Sequence, residues 1–199
     1  MKNMYILASK PTAEENDNDD SNEVQQISNS IFFYTDVNKQ SILNLNQKLK
    51  TIGADLNATA MVLDIPVPEL KLHINSNGGS LLDGFAAVDY VRNCKAPVHS
   101  IIEGSAASAA TLISVVAKKR SISKNSFMLI HQLSGGMWGK FESMKDDMQN
   151  CNLFMDRINE IYGQYTKIPK NVLKDILKRD IYMDAKTCLK YGLVDKIIE

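Results

Sequence analysis

Cysteine is scarce: Cys94, Cys151 and Cys188 are the only three in 199 residues, and no two of them form a Cys-x-x-Cys pair. That spacing excludes a disulfide framework and a thiolate zinc site, and fits reduced thiols in a cytosolic compartment. An excess charge of either sign is also missing. With 23 basic and 23 acidic side chains the formal net charge is zero, so no bulk field gathers nucleic acid or an anionic membrane surface. No apolar run approaches the roughly 20 residues a membrane-spanning helix requires, and Met4–Ala8 is too short for the apolar stretch of a signal peptide. Neither secretion nor membrane embedding is expected, and a cytoplasmic protein is. Ten glycines, five prolines and 7% aromatics exclude a collagen-like or low-complexity chain, while 44% apolar residues suffice for one compact domain.

The polar, acidic stretch 11–23 has no large apolar anchor, so residues 1–30 are read as a flexible acidic segment ahead of a domain over 31–199. From there, strand-length apolar runs alternate with longer runs at helical period. SIFFYTDV (30–37), ELKLHINS (69–76), PVHSIIE (97–103) and SFMLIHQL (126–133) read as strands. SILNLNQKLKTIGADL (41–56), LLDGFAAVDYVRN (81–93) and SAASAATLISVVAKK (105–119) read as the helices between them. This order predicts an α/β fold of repeated βαβ units with parallel strands. Three further helices follow, over about 142–165, after Pro169, and from Asp184 to Gly192, before a last strand LVDKII. On the first of these, Met144, Met148, Cys151, Phe154, Met155, Ile158 and Ile161 recur at steps of three and four. The stripe packs either on its own domain or on the same helix of another subunit, and the sequence leaves both open.

Chemistry gathers at two glycine-containing corners. Gly104–Ala110 is a run of small residues between a strand and an apolar helix. A serine at a helix N-terminus lies where free N–H groups and the dipole favour an alkoxide and an oxyanion. Ser105 and Ser108 both qualify, against the alternative that either merely caps the helix. A second turn, Asn75–Ser80, carries Gly78 and Gly79 and exposes backbone N–H groups that can serve as oxyanion donors. His131 ends an apolar strand at the same end of the parallel sheet, where active sites of open α/β sheets collect, and is the candidate base. His73 and His99 lie inside strands and are read as packing or hydrogen-bonding residues. Spacing alone selects no acid. The stretch Gly135–Phe141 looks like a phosphate loop but is one residue short and has Phe where Ser or Thr binds magnesium, so no nucleotide site is expected.

Five ordered motifs, INSNGGS (74–80), EGSAASAA (103–110), KNSFMLIHQ (124–132), RDIYMDA (179–185) and YGLVDKI (191–197), make the chain resemble ClpP, the family of Clp protease proteolytic subunits. The resemblance implies a ClpP/crotonase-like fold and serine endopeptidase activity. It assigns the nucleophile to Ser108, the base to His131, the acid to Asp180 and the oxyanion donors to the N–H groups of Gly79 and Ala109. It implies a strand and helix over about 133–165 that project as a handle. It also implies homo-oligomeric heptameric rings stacked as a tetradecamer, unfolded protein substrates and an AAA+ Clp unfoldase as partner. No cofactor is implied, since ATP is used only by the unfoldase. Asn77, Ala109 and Leu133 stand where the family usually has Pro, Met and Pro. Lys178 stands where it commonly has an aspartate that pairs with an arginine, here Arg179, across the ring junction. Two other classes compete: a catalytically silent ring subunit, and a crotonase-type acyl-CoA enzyme, which works through carboxylates rather than a Ser and His pair.

Overall fold

The structure is a computed structural model that describes residues 24–199; Met4–Ala8 and the acidic stretch 11–23 lie outside the described residues. One sheet organises the chain. Its strands are β1 (Gln25–Ile27), β2 (Ser30–Phe33), β3 (Leu70–Ser76), β4 (Val98–Ala107), β5 (Lys119–Ser123), β6 (Phe127–Leu129), β7 (Met183–Asp184) and β8 (Lys196–Ile198). The main path runs β1-β2-β3-β4-β5-β8, and β6 joins β4 to β7. From β2 to β8 that path is parallel, as the alternation predicts; β1 on β2 and β7 on β6 are antiparallel. Residues 25–27, placed in the flexible segment on sequence grounds, therefore belong to the sheet.

The helices are α1 (Lys39–Leu63), α2 (Leu81–Arg92), α3 (Ala109–Val115), α4 (Phe141–Tyr165), α5 (Lys170–Leu177) and α6 (Ala185–Lys190). Entry to α1 is fixed by a capping box. Asn38 Oδ1 accepts from the N–H groups of Gln40 and Ser41, and Ser41 Oγ accepts from the Asn38 N–H. The core lies between the sheet and α1, α2 and α3, where Ile31, Phe33, Leu72, Ile74, Leu45, Leu49, Leu112 and Ile113 are all buried. Along β3, burial alternates from Leu70 to Ser76, because the opposite face of the sheet, with Lys71, His73 and Asn75, carries no helix.

The long strand β4 decides where the chemistry sits. Its first half pairs with β5 and its last three residues pair with β6, so the sheet forks at the bend between them. The small residues Gly104–Ala107, read as part of a corner, are thus strand, and the corner itself falls at Ser108. Each of β3, β4 and β6 ends on the same side, delivering Gly78–Gly79, Ser108 and His131 to one end of the sheet.

Two expectations need correction. Lys119–Ser123, part of it assigned to a helix, is strand β5: α3 stops at Val115, and Lys118 N–H bonds Val98 O beside the sheet. The handle has its helix, α4, but residues 130–140 form no strand. A strand needs a neighbouring ladder to take its N–H and C=O groups, and among the described residues none lies beside 133–140.

Candidate active site

Ser108 is the N-cap of α3 and, among the described residues, one of three non-glycine residues with positive φ, at φ 54° and ψ −127°. Such a conformation is strained and persists only where the surroundings enforce it. Here its N–H donates to Leu129 O at 2.8 Å, and its carbonyl accepts from the Thr111 N–H at 3.0 Å and from Thr111 Oγ1 at 2.6 Å. The side-chain hydroxyl makes no capping bond. The capping alternative therefore fails for Ser108. Ser105 lies inside β4, opposite Phe127, with its N–H on Asn75 Oδ1, and is not at the corner.

Close approach explains the two glycines before α2. A Cβ on Gly78, at φ 92°, would lie 2.6 Å from Ala107 O, 2.7 Å from Ser108 Cβ and 3.0 Å from Ala109 N. Only glycine lets this turn lie against the serine corner. Gly79, at φ 145°, has Val37 O where its own Cβ would be, because Val37 N–H bonds Gly78 O and Ser80 N–H bonds Val37 O. That pairing leaves the Gly79 N–H without an acceptor among the described residues. The Ala109 N–H, first in its helix, also has no intrahelical acceptor.

A cavity of about 30 Å³ opens at this corner. Gly79, Ser108, Ala109 and His131 line it together with the apolar side chains of Leu81, Leu112, Leu133 and Ile158 and the ring of Tyr162. His131 Nδ1 lies 3.3 Å from Asp180 Oδ1, with the imidazole 18% and the carboxylate 80% exposed. Asp180 follows α5, and that stretch is tied back to the strand end by the Gln132 N–H on Leu177 O at 2.6 Å. No hydrogen bond joins Ser108 to His131. The structure thus brings Ser108, His131, Gly79 and Ala109 around one cavity and sets Asp180 behind the histidine. His73 and His99 are elsewhere: His73 stacks on Phe32 and bonds Glu103 at 2.9 Å, and His99 bonds Ser121 at 2.8 Å.

The family model for Clp protease matches residues 25–199. The chain belongs to the Clp protease family. An ATP-dependent Clp protease proteolytic subunit from Deinococcus radiodurans is 32% identical over 136 residues, 67% of either chain. Among solved structures, a ClpP1 mutant from Listeria monocytogenes matches with a TM-score of 0.75 at 22% identity, covering 86% of this chain and 92% of that one, a likeness of fold. The architecture is the ClpP form of the crotonase-like α/β fold, as the motifs imply. Family membership makes Clp-type peptide-bond hydrolysis the activity class of this Clp protease chain.

Sequence reasoning passed over much of the cavity wall of this Clp protease-family chain. Tyr162 is the instructive omission: it lies one turn beyond Ile158, on the face already marked as apolar, so its i, i+4 relation to that stripe was the available signal. The stripe itself divides. Ile158 and Ile161 are buried against the domain, whereas Met144 is 37% and Met148 52% exposed. Among the described residues, no helix is long and apolar enough to cross a membrane.

Proposed function

We propose that the protein is a serine endopeptidase subunit that hydrolyses peptide bonds of unfolded proteins inside a cytoplasmic ring assembly fed by an AAA+ unfoldase. One observation carries the reading: Ser108 sits at a strained strand-to-helix corner with its hydroxyl free of capping, beside two N–H groups without acceptors and a cavity that His131 shares. In the proposed reaction His131 takes the Ser108 proton as Oγ attacks the peptide carbonyl. The Gly79 and Ala109 N–H groups receive the oxyanion, and Asp180 holds the imidazolium in place through Nδ1. His131 then returns the proton to the leaving amine, and water repeats the sequence to release the acyl-enzyme. Catalytic hydrogen bonds commonly tighten only around substrate, which accommodates the absence of a Ser108–His131 bond.

The ring is supported by apolar surface. Trp138 is 98% and Phe141 66% exposed, and with Met144 and Met148 they leave the first half of α4 without a partner among the described residues. Lys178, at the position the family uses for an inter-ring aspartate, instead lies 3.4 Å from Asp175 of its own helix. The unfoldase is proposed on family grounds. Native mass spectrometry of the protein, with and without a fluorophosphonate probe, tests both halves together. The expected result is a species of seven or fourteen subunits labelled at Ser108. An assembled ring that takes no label would favour the silent subunit, and an unlabelled monomer would oppose the whole reading.

A further inference from the structure

Behind the serine corner, three buried groups form a line. Tyr162 is 1% exposed and Thr111 is fully buried. The Tyr162 hydroxyl lies 2.6 Å from Thr111 Oγ1, which lies 2.6 Å from the Ser108 carbonyl oxygen. The direction of the line follows from proton counting. A carbonyl only accepts, so the single Thr111 hydroxyl proton points at Ser108 O; Thr111 Oγ1 is then the acceptor for the Tyr162 O–H. Burial pushes the Tyr162 phenol above its ordinary range, so it stays protonated and remains a donor.

The line ends on the most strained backbone of the site. At φ 54° and ψ −127° Ser108 needs outside restraint, and its carbonyl receives both Thr111 donors. Tyr162 belongs to α4, 54 residues further along the chain, and its ring forms part of the cavity wall. A buried hydroxyl chain polarises along its length and holds each member in one rotamer.

We propose that Thr111 and Tyr162 are positioning residues for the Ser108 nucleophile: a two-hydroxyl relay from α4 that fixes the carbonyl of the catalytic serine and thereby the aim of its Oγ. The proposal rests on Ser108 being the nucleophile. Tyr162→Phe keeps the ring and removes only the donor; Thr111→Val keeps the shape and the backbone bond and removes the hydroxyl bond to Ser108. Losing one such bond slows the chemical step by about threefold for Tyr162→Phe and about tenfold for Thr111→Val. KM should not change, because Thr111 is fully buried and outside the cavity lining, and the Tyr162 hydroxyl is engaged by Thr111 Oγ1.

The test measures kcat and KM on a fluorogenic peptide and the rate of fluorophosphonate labelling for both single variants, the double variant, Thr111→Ser and Ser108→Ala. The relay predicts lower kcat and slower labelling at constant KM. The double variant should be no slower than Thr111→Val, since without Thr111 the tyrosine has nothing to hold. Thr111→Ser should recover the rate lost in Thr111→Val. A lowered melting temperature with unchanged kcat and labelling would make the pair merely structural and overturn the proposal. Labelling that survives Ser108→Ala would instead overturn the assignment of the nucleophile on which the proposal rests.

Discussion

The two sides of the cavity are built differently. On the Ser108 side the backbone is restrained: the serine N–H and carbonyl are both bonded, Gly78 packs on the corner at distances no side chain allows, and α3 behind it is buried throughout. On the other side His131 leads into nine residues without regular structure, its carboxylate partner is 80% exposed, and the helix that follows begins exposed. Ser108 and the Gly79 and Ala109 N–H groups, the proposed nucleophile and oxyanion donors, are thus preorganised within one chain. The acid–base side is held by one backbone bond to α5 and by the Leu133 N–H on Met155 Sδ at 3.1 Å. Electrostatic stabilisation needs fixed donors, whereas a histidine that moves a proton between serine and leaving group tolerates a softer frame.

The largest test of this contrast is Ser108→Ala, which should reduce peptide hydrolysis by about a million-fold, the cost typical of removing a triad nucleophile. Ring assembly, read by native mass spectrometry, should be unchanged, since the hydroxyl makes no structural bond. Asp180→Asn comes next. It should lower kcat by up to about 10⁴-fold by favouring the wrong histidine tautomer, with little change in melting temperature for so exposed a side chain. A kinetically silent Asp180→Asn would remove that residue from the mechanism and leave the soft side without an acid.

A pair of glycines separates the two sides directly. Gly78→Ala forces a Cβ to within 2.6 Å of Ala107 O at a φ of 92°, and such strain costs about 1–3 kcal/mol before any clash is counted. In a chain of this size each kcal/mol lowers the melting temperature by about 2–4 °C. Gly136, across the cavity in the segment after His131, has nothing within 4 Å of the same added atom. Gly136→Ala should stay within about 0.5 kcal/mol of the parent. Equal losses in the two variants, measured by thermal unfolding, would erase the distinction between a fixed and an open side.

How far the sequence shows this architecture depends on segment length and on context. Period places β2, α1, β3, α2, the first part of β4 and α4, because each runs long enough to display alternation or a 3.6-residue stripe, whereas α5 and α6 are placed by the terminal signals Pro169, Asp184 and Gly192. It misses β1 and β7, of three and two residues, and reads the start of β5 as helix, since strands so short are defined by what they pair with. The corner serines and His131 are legible from the glycine runs and from the rule that sites gather at the carboxyl ends of strands. The choice between Ser105 and Ser108 is not, because it turns on where β4 ends. Nor is Asp180 by spacing; only the family motif singles it out. Thr111 and Tyr162 are 51 residues apart, and nothing local in either segment announces that their hydroxyls meet.

The smallest expected effect concerns a histidine at the far end of the sheet. His99 stands on β4, at the end of the sheet away from the cavity, with Ser121 at Nε2, Glu69 at 3.4 Å from Nδ1, and Lys119 paired to that same glutamate. Burial is the main cause that holds its imidazole below the ordinary histidine value, and nearby Lys119 and Lys71 add to it against the pull of Glu69. A folded-state value below the unfolded one means that the unfolded chain binds the extra proton first on acidification. Stability supplied by neutral His99 is therefore fully present above about pH 6.5, the unfolded histidine value, and is lost as pH falls through the folded one. Thermal unfolding from pH 7 to pH 5 should fall less steeply for His99→Gln than for the parent, while the rate of peptide hydrolysis at pH 7 stays that of the parent. A changed rate of peptide hydrolysis in His99→Gln would mean that the two ends of the sheet are coupled.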